Sequence, residues 1–284
     1  MKPRTKRTQA VRLLPSAITI LALCSGLSAV KFALDGNYGV ALAMVGAAAV
    51  LDSLDGRIAR MLDATSKIGA ELDSLADAIS FGVAPALVLY VALLDGQQFG
   101  WIVALIYAVS IVLRLARFNT LMDDDDAPGY TGEYFVGVPA PAGALVALLP
   151  LAASAQWGDG WWQNDVLVVA WTLFSAMLIV SRIPTLAMKT VSVPPRMAAG
   201  LLVLVALCAA ALVTYPYILL IALVAVYLLH IPFAVRSQRW VAARPETWDI
   251  KPAERRAIRR RPNTGGRPKA RSAARLGLRR PRAK

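Results

Sequence analysis

Residues 51–82 read LDSLDGRIARMLDATSKIGAELDSLADAISFG, and four aspartates in this stretch lie in or beside strongly apolar sequence. Asp52 and Asp55 are three residues apart, with Gly56, Ala59 and Arg60 following. On a helix these positions share one face. The run MLDATSKI then supplies turn formers and an N-cap at Thr65 or Ser66, from which a second helix starts. That helix sets Gly69, Asp73 and Asp77 at steps of four, again on one face. Two antiparallel helices joined by this short turn would bring both carboxylate pairs together.

Such a cluster is costly. A carboxylate at mid-bilayer costs ~3 kcal/mol on insertion scales. Four unpaired ones would cost on the order of 10 kcal/mol, less near the interface. Asp52 lies about 12 Å along the helix axis from Arg60, so it is not fully at the surface. Arg57, Arg60 and Lys67 lie toward that surface and are poorly placed to neutralise all four carboxylates. A hard divalent cation would relieve both the burial and the mutual repulsion, because such ions prefer oxygen ligands. Gly56, Ala59 and Gly69 would let a ligand approach the helix backbone closely. A polar helix seam or a pore lining would use the same residue types, so the carboxylates alone point to function without naming it.

The surroundings are oil. The 284 residues are 57% hydrophobic with mean hydropathy +0.54, more apolar than a soluble domain of this length. About eight stretches approach the length needed to cross a ~30 Å hydrocarbon layer: 13–33, 38–61, 71–94, 99–121, 138–155, 165–183, 197–213 and 217–235. Pro139, Pro141 and Pro150 interrupt the fifth. With the loops numbered alternately from a cytosolic N-terminus, 30 of the 31 Lys and Arg fall on the inner side and only Lys31 on the outer. This is the positive-inside bias. The fold expected is therefore an all-α integral membrane protein of about eight transmembrane helices with both termini cytosolic. In a bacterium it would sit in the cytoplasmic membrane with its acidic site facing the cytosol.

Residues 1–12 form a basic cytosolic N-terminus, and 13–235 the membrane domain. The apolar run after MKPRTKR continues to spanning length without a clear cleavage site, which argues against a signal peptide. Residues 236–284 carry 17 Lys and Arg against Glu246, Asp249 and Glu254. Their composition is that of a disordered tail, suited to anionic lipid headgroups rather than nucleic acid. The run Asp123 to Asp126 reads as a solvated loop. Cys24, Cys208 and the single histidine, His230, read as packing residues without metal-ligand spacing.

From Asp52 to Asp77 the spacing is D-x2-D-G-x2-A-R-x8-G-x3-D-x3-D, with eight fixed positions. In every one of them it resembles the signature of the CDP-alcohol phosphatidyltransferase family. Members transfer a phosphatidyl or related group from a CDP-linked donor to an alcohol and release CMP. The resemblance implies that Asp52, Asp55, Asp73 and Asp77 ligate one or two divalent ions, Mg²⁺ or Mn²⁺. It implies that Gly56, Ala59, Arg60 and Gly69 line the cytidine nucleotide site, and that Asp77 is general base on the acceptor hydroxyl.

Three further segments resemble the serine-using, membrane-embedded branch of that family: SFGVAPA at 80–86, RLARFN at 114–119 and YFVGVPAPAGA at 134–144. This likeness runs over about 13–235 and implies CDP-diacylglycerol as donor and L-serine as acceptor. Arg114, Arg117 and Asn119 are the residues expected to hold the serine, a guanidinium gripping its carboxylate; fixing topology is the other role open to either arginine. A homodimer is compatible with this reading. In the first span Ser16 and Ala22 stand where that branch often has asparagine, while Thr19 and Gly26 agree. Sibling transferases using glycerol 3-phosphate, an inositol phosphate or another polyol remain open, because Arg114, Arg117, Arg182, Lys189 and Arg196 could bind a phosphorylated acceptor. A membrane prenyltransferase lacks the Gly-x2-Ala-Arg element. A divalent-cation transporter would release no CMP.

Overall fold

A computed structural model describes residues 7–64, 66–122, 134–186 and 198–244. The loop with Asp123 to Asp126, Lys189 and Arg196, and most of the basic tail lie outside them. Helix α1 (Arg7–Leu34) and helix α2 (Tyr38–Met61) form a hairpin. The pair buries small residues in one core cluster, Ala29 and Ala33 from α1 with Ala41, Val45 and Ala48 from α2. Small side chains at helical spacing let two backbones approach closely, which favours packing where lipid offers no hydrophobic driving force. Ser25 Oγ donates to Met44 O across the pair at 2.8 Å.

The turn after α2 is closed by its own backbone. Ala64 N donates to Ala59 O at 3.0 Å, and Asp63 adopts a positive φ of 53°. Aspartate tolerates this left-handed geometry better than most residues. Ser66 then caps the next helix, its side chain accepting from Gly69 N at 3.0 Å. The N-cap expected at Thr65 or Ser66 is Ser66.

Helix α3 (Lys67–Leu94) is one rod with two changes of winding. It is π-helical at Ala78–Val83 and again at Tyr90–Leu94, with α-helical turns between. The first π-turn begins directly after Asp77. Gly26 of α1 crosses it so closely that a Cβ there would lie 2.7 Å from Ser80 Cα. On the other side Tyr107 donates its hydroxyl to Phe81 O at 2.9 Å. A π-turn leaves carbonyls poorly satisfied by the helix itself, and such turns cluster at functional sites.

Helix α4 (Gly100–Met122) follows and supplies Tyr107 and Ile111 to the core. Strand β1 (Tyr134–Val136) leads into α5 (Ala140–Ala147) and α6 (Leu149–Trp157). These two helices meet at 45°, with Pro150 in the first turn of α6. Proline cannot donate the bond that would continue α5, so the fifth apolar stretch is a broken helix. Helix α7 (Asp165–Val180) is capped by Asn164, and strand β2 (Pro184–Leu186) pairs antiparallel with β1, Phe135 opposite Thr185. This small ribbon was not expected from an all-helical reading. Gly137, with φ +79°, follows β1 where a Cβ would lie 2.7 Å from Ile179 O. Only glycine fits both the space and the left-handed backbone.

Helices α8 (Ala198–Thr214) and α9 (Pro216–Ala242) complete the described chain. The last helix continues past 235 into the basic segment. Among the described residues, five helices are long and apolar enough to span a membrane, or six with the bent pair counted once; α7 and most of α8 are shorter apolar helices. Their outer faces carry exposed leucine and valine, with Leu202 at 70% and Val213 at 86%. Apolar surface this extensive belongs against lipid. The protein is a mostly helical membrane protein, and among its described residues the spans long enough to cross number five or six, fewer than the eight stretches read from the sequence.

Candidate active site

The signature carboxylates converge from two helices. Carboxylate oxygens of Asp52 and Asp55 on α2 and Asp73 on α3 all lie within 4.8 Å of one another. Two oxygens bound to one ion at about 2.1–2.5 Å are at most about 4–5 Å apart, so this triad fits a single hard cation. The donor set is all oxygen, which suits Mg²⁺ or Mn²⁺ and not a softer metal. Asp77, one helical turn beyond Asp73, stands outside the triad, with its carboxyl within hydrogen-bonding reach of Asp52. Asp55 is the deepest, 3% exposed, while Asp52, Asp73 and Asp77 are half-buried and reachable.

Asp55 is held from outside the signature. Thr19 Oγ1 lies 2.7 Å from Asp55 Oδ2 and 3.1 Å from Pro15 O. It donates one proton, and the carboxylate is the stronger acceptor. The usable signal was that Thr19 is one of the two first-span positions agreeing with the resemblance. Ala22, where asparagine is often found, is buried, and its carbonyl accepts from Ser80 Oγ at 3.4 Å. Thr19→Val should raise the metal concentration for half-maximal activity about tenfold or more without loss of helix, since residues that orient metal ligands are worth ~10–100-fold. A metal titration with an unmoved midpoint would show that Thr19 does not orient Asp55.

The expected nucleotide residues are unevenly exposed. Gly56, Ala59 and Gly69 are half-buried and Arg60 is exposed. A Cβ on Gly56 would meet nothing nearer than Arg60 Nη1 at 3.6 Å, so the backbone there is open to a ligand. Gly69 has a local reason as well, because its Cβ would lie 3.0 Å from the capping Ser66 Oγ.

The three residues expected to hold serine differ. Arg117 Nη1 donates to Val180 O at 2.7 Å and so closes the C-terminal end of α7. Asn119 Nδ2 donates to Ser74 Oγ at 3.2 Å, tying α4 to α3 beside the carboxylates. Arg114 is 7% exposed and lies within electrostatic reach of Asp77 and Asp52. Its Nε has no hydrogen-bond partner.

Comparison with known proteins agrees with this geometry. The model of the CDP-alcohol phosphatidyltransferase family matches residues 12–183, which hold all four carboxylates, Thr19 and Arg114. The chain belongs to the CDP-alcohol phosphatidyltransferase family. A second model, CDP-alcohol phosphatidyltransferase 2, matches residues 196–232 in α8 and α9. The chain is 53% identical over 280 residues to the CDP-diacylglycerol–serine O-phosphatidyltransferase of Mycobacterium tuberculosis, covering 99% of this chain and 98% of that protein. It is 48% identical over 292 residues to the enzyme of the same name from Mycobacterium leprae, at 99% and 97% coverage. A Helicobacter pylori protein of that name is 34% identical over 174 residues, 60% of this chain.

The family is divalent-metal dependent, and in this phosphatidyltransferase the spacing and oxygen donors of the carboxylate triad fit such an ion. When bound, the ion neutralises diphosphate charge and polarises phosphorus. The protein's own contribution is to hold the triad on two rigid helices, with Thr19 behind it and Asp77 and Arg114 at its edge.

Proposed function

We propose that the protein transfers the phosphatidyl group of CDP-diacylglycerol to the hydroxyl of L-serine, forming phosphatidylserine and releasing CMP. The observation that carries this reading is full-length 53% identity to a serine O-phosphatidyltransferase. Asp52, Asp55 and Asp73 hold Mg²⁺ or Mn²⁺, with Asp77 at the rim of the same site. Gly56, Ala59, Arg60 and Gly69 receive the cytidine nucleotide. Asp77 accepts the serine hydroxyl proton as the oxygen attacks phosphorus; an alcohol is a poor nucleophile until that proton is taken. Asp77 suits this role because it lies outside the triad. The chain crosses the membrane eight times with both termini and the site cytosolic, as the distribution of its Lys and Arg supports. The basic tail rests on anionic headgroups of the same face.

Arg114 is the partner of the serine carboxylate. It is buried beside Asp77, and its fork matches a planar carboxylate in a way lysine cannot. Arg117 and Asn119 then serve by fixing α4 against α7 and α3. Arg114→Lys should raise serine KM about tenfold or more, some 1.4 kcal/mol, with CDP-diacylglycerol binding little changed. Unchanged serine kinetics would remove Arg114 from the acceptor site. Turnover with glycerol 3-phosphate or an inositol phosphate in place of serine would overturn the acceptor.

A further inference from the structure

Two buried side-chain polar atoms among the described residues lack a hydrogen-bond partner, Arg114 Nε and the Tyr227 hydroxyl. They come from different ends of the chain. Arg114 lies on α4; Tyr227 lies on α9, which packs against β2 and α5 and turns Tyr227 toward the core. The two are within electrostatic reach of each other, and Arg114 is likewise within reach of Asp77 and Asp52. The Tyr227 hydroxyl also comes near Thr185. Thr185 Oγ1 donates its one proton to Gly137 O at 2.9 Å, so toward the phenol it is at most an acceptor, and the Tyr227 hydroxyl makes no hydrogen bond to it. Buried donors without partners are rare in folded proteins and call for an explanation, a bound ligand among them.

We propose that Tyr227 is an acceptor-binding residue. Its hydroxyl and the Arg114 guanidinium converge on the carboxylate of an amino-acid acceptor whose hydroxyl is presented to Asp77. This rests on the serine reading above. The pair offers one neutral O–H donor and one cationic N–H donor, which suits a single carboxylate with two oxygens. The donor's diphosphate would instead have its charge met by a divalent ion held by Asp52, Asp55 and Asp73. An alcohol without a carboxylate would leave both buried donors unpaired, which is how a polar site rejects a near-isosteric substrate. The last helix, distant in sequence from the signature, therefore takes part in acceptor choice.

The test is Tyr227→Phe in the full-length protein, assayed with serine and with serinol, which has the amine and hydroxyls but no carboxylate. A hydrogen bond to a charged group predicts a rise in serine KM of about 10–100-fold, with the KM for CDP-diacylglycerol within about twofold. The preference for serine over serinol should shrink by the same factor. The melting temperature of the substrate-free protein should not fall, because the hydroxyl has no partner to lose. Tyr227→His, which keeps a donor on the ring, provides the comparison if the phenylalanine variant does not assemble. Unmoved serine KM and unmoved preference would overturn the proposal. So would a raised donor KM with serine unaffected, which would assign the pair to phosphate. A wild-type protein that turns over serinol as well as serine would remove the carboxylate argument, and one that turns over no serine would remove the reading beneath it.

Discussion

Turnover in Asp77→Asn is expected to fall by about 10²–10⁴-fold while CDP-diacylglycerol still binds, since a positioned base contributes that range. Asparagine keeps the shape and hydrogen-bonding reach of the side chain but cannot accept the proton. Asp77 is the right residue for this test because it lies beside Asp52 yet outside the three-carboxylate group. It is also the last residue before the π-turn at Ala78–Val83, so its direction depends on a winding fixed by Tyr107 on one side and Gly26 on the other. Single-turnover measurements with saturating donor separate chemistry from binding. A variant that turns over within about threefold of the wild type would rule out Asp77 as base.

Asp55→Asn should have the second large effect, on metal binding. The wild-type protein is expected to gain thermal stability on adding Mn²⁺, about 2.7 kcal/mol at a hundred times the dissociation constant. Asp55→Asn should lose most of that gain together with activity, because Asp55 is the buried member of the triad and the one Thr19 holds. Without metal the variant should be no less stable than the wild type, since one of several mutually repelling carboxylates has been removed. A thermal shift with Mn²⁺ as large in the variant as in the wild type would place the ion elsewhere. A large loss of stability without metal would make Asp55 a structural residue instead.

The signature was legible because its chemistry is local. Asp52 with Asp55 and Asp73 with Asp77 each fall on one helical face, and the connecting turn is short enough to fix the hairpin. Ser66 could be read as a cap for the same reason. Hydropathy located the helices, and Pro150 marked where the fifth would break. The π-turns were not legible, because they arise from what α3 packs against, Gly26 and Tyr107, and not from its own composition. The β1–β2 ribbon was missed because three residues are too few to show a period of two. Thr19 left a trace only through the resemblance of the first span. Tyr227 left none, because a tyrosine in an apolar helix reads as packing until the fold brings it beside Arg114. The three RLARFN residues also look equivalent in sequence, yet tertiary contacts divide them. Arg117 is bound to Val180 O and Asn119 to Ser74, while Arg114 is left with a buried, unpartnered nitrogen.

The central claim is that this carboxylate site transfers a phosphatidyl group to serine. Its most direct test is CMP release by the purified full-length protein given CDP-diacylglycerol and Mn²⁺, with serine, glycerol 3-phosphate, inositol or inositol phosphate supplied singly. The account predicts CMP and phosphatidylserine in equal amounts with serine, abolished by chelating the metal, and only background release with the other acceptors. Release driven by glycerol 3-phosphate or an inositol phosphate and not by serine, or serine-dependent release that survives chelation, would contradict it.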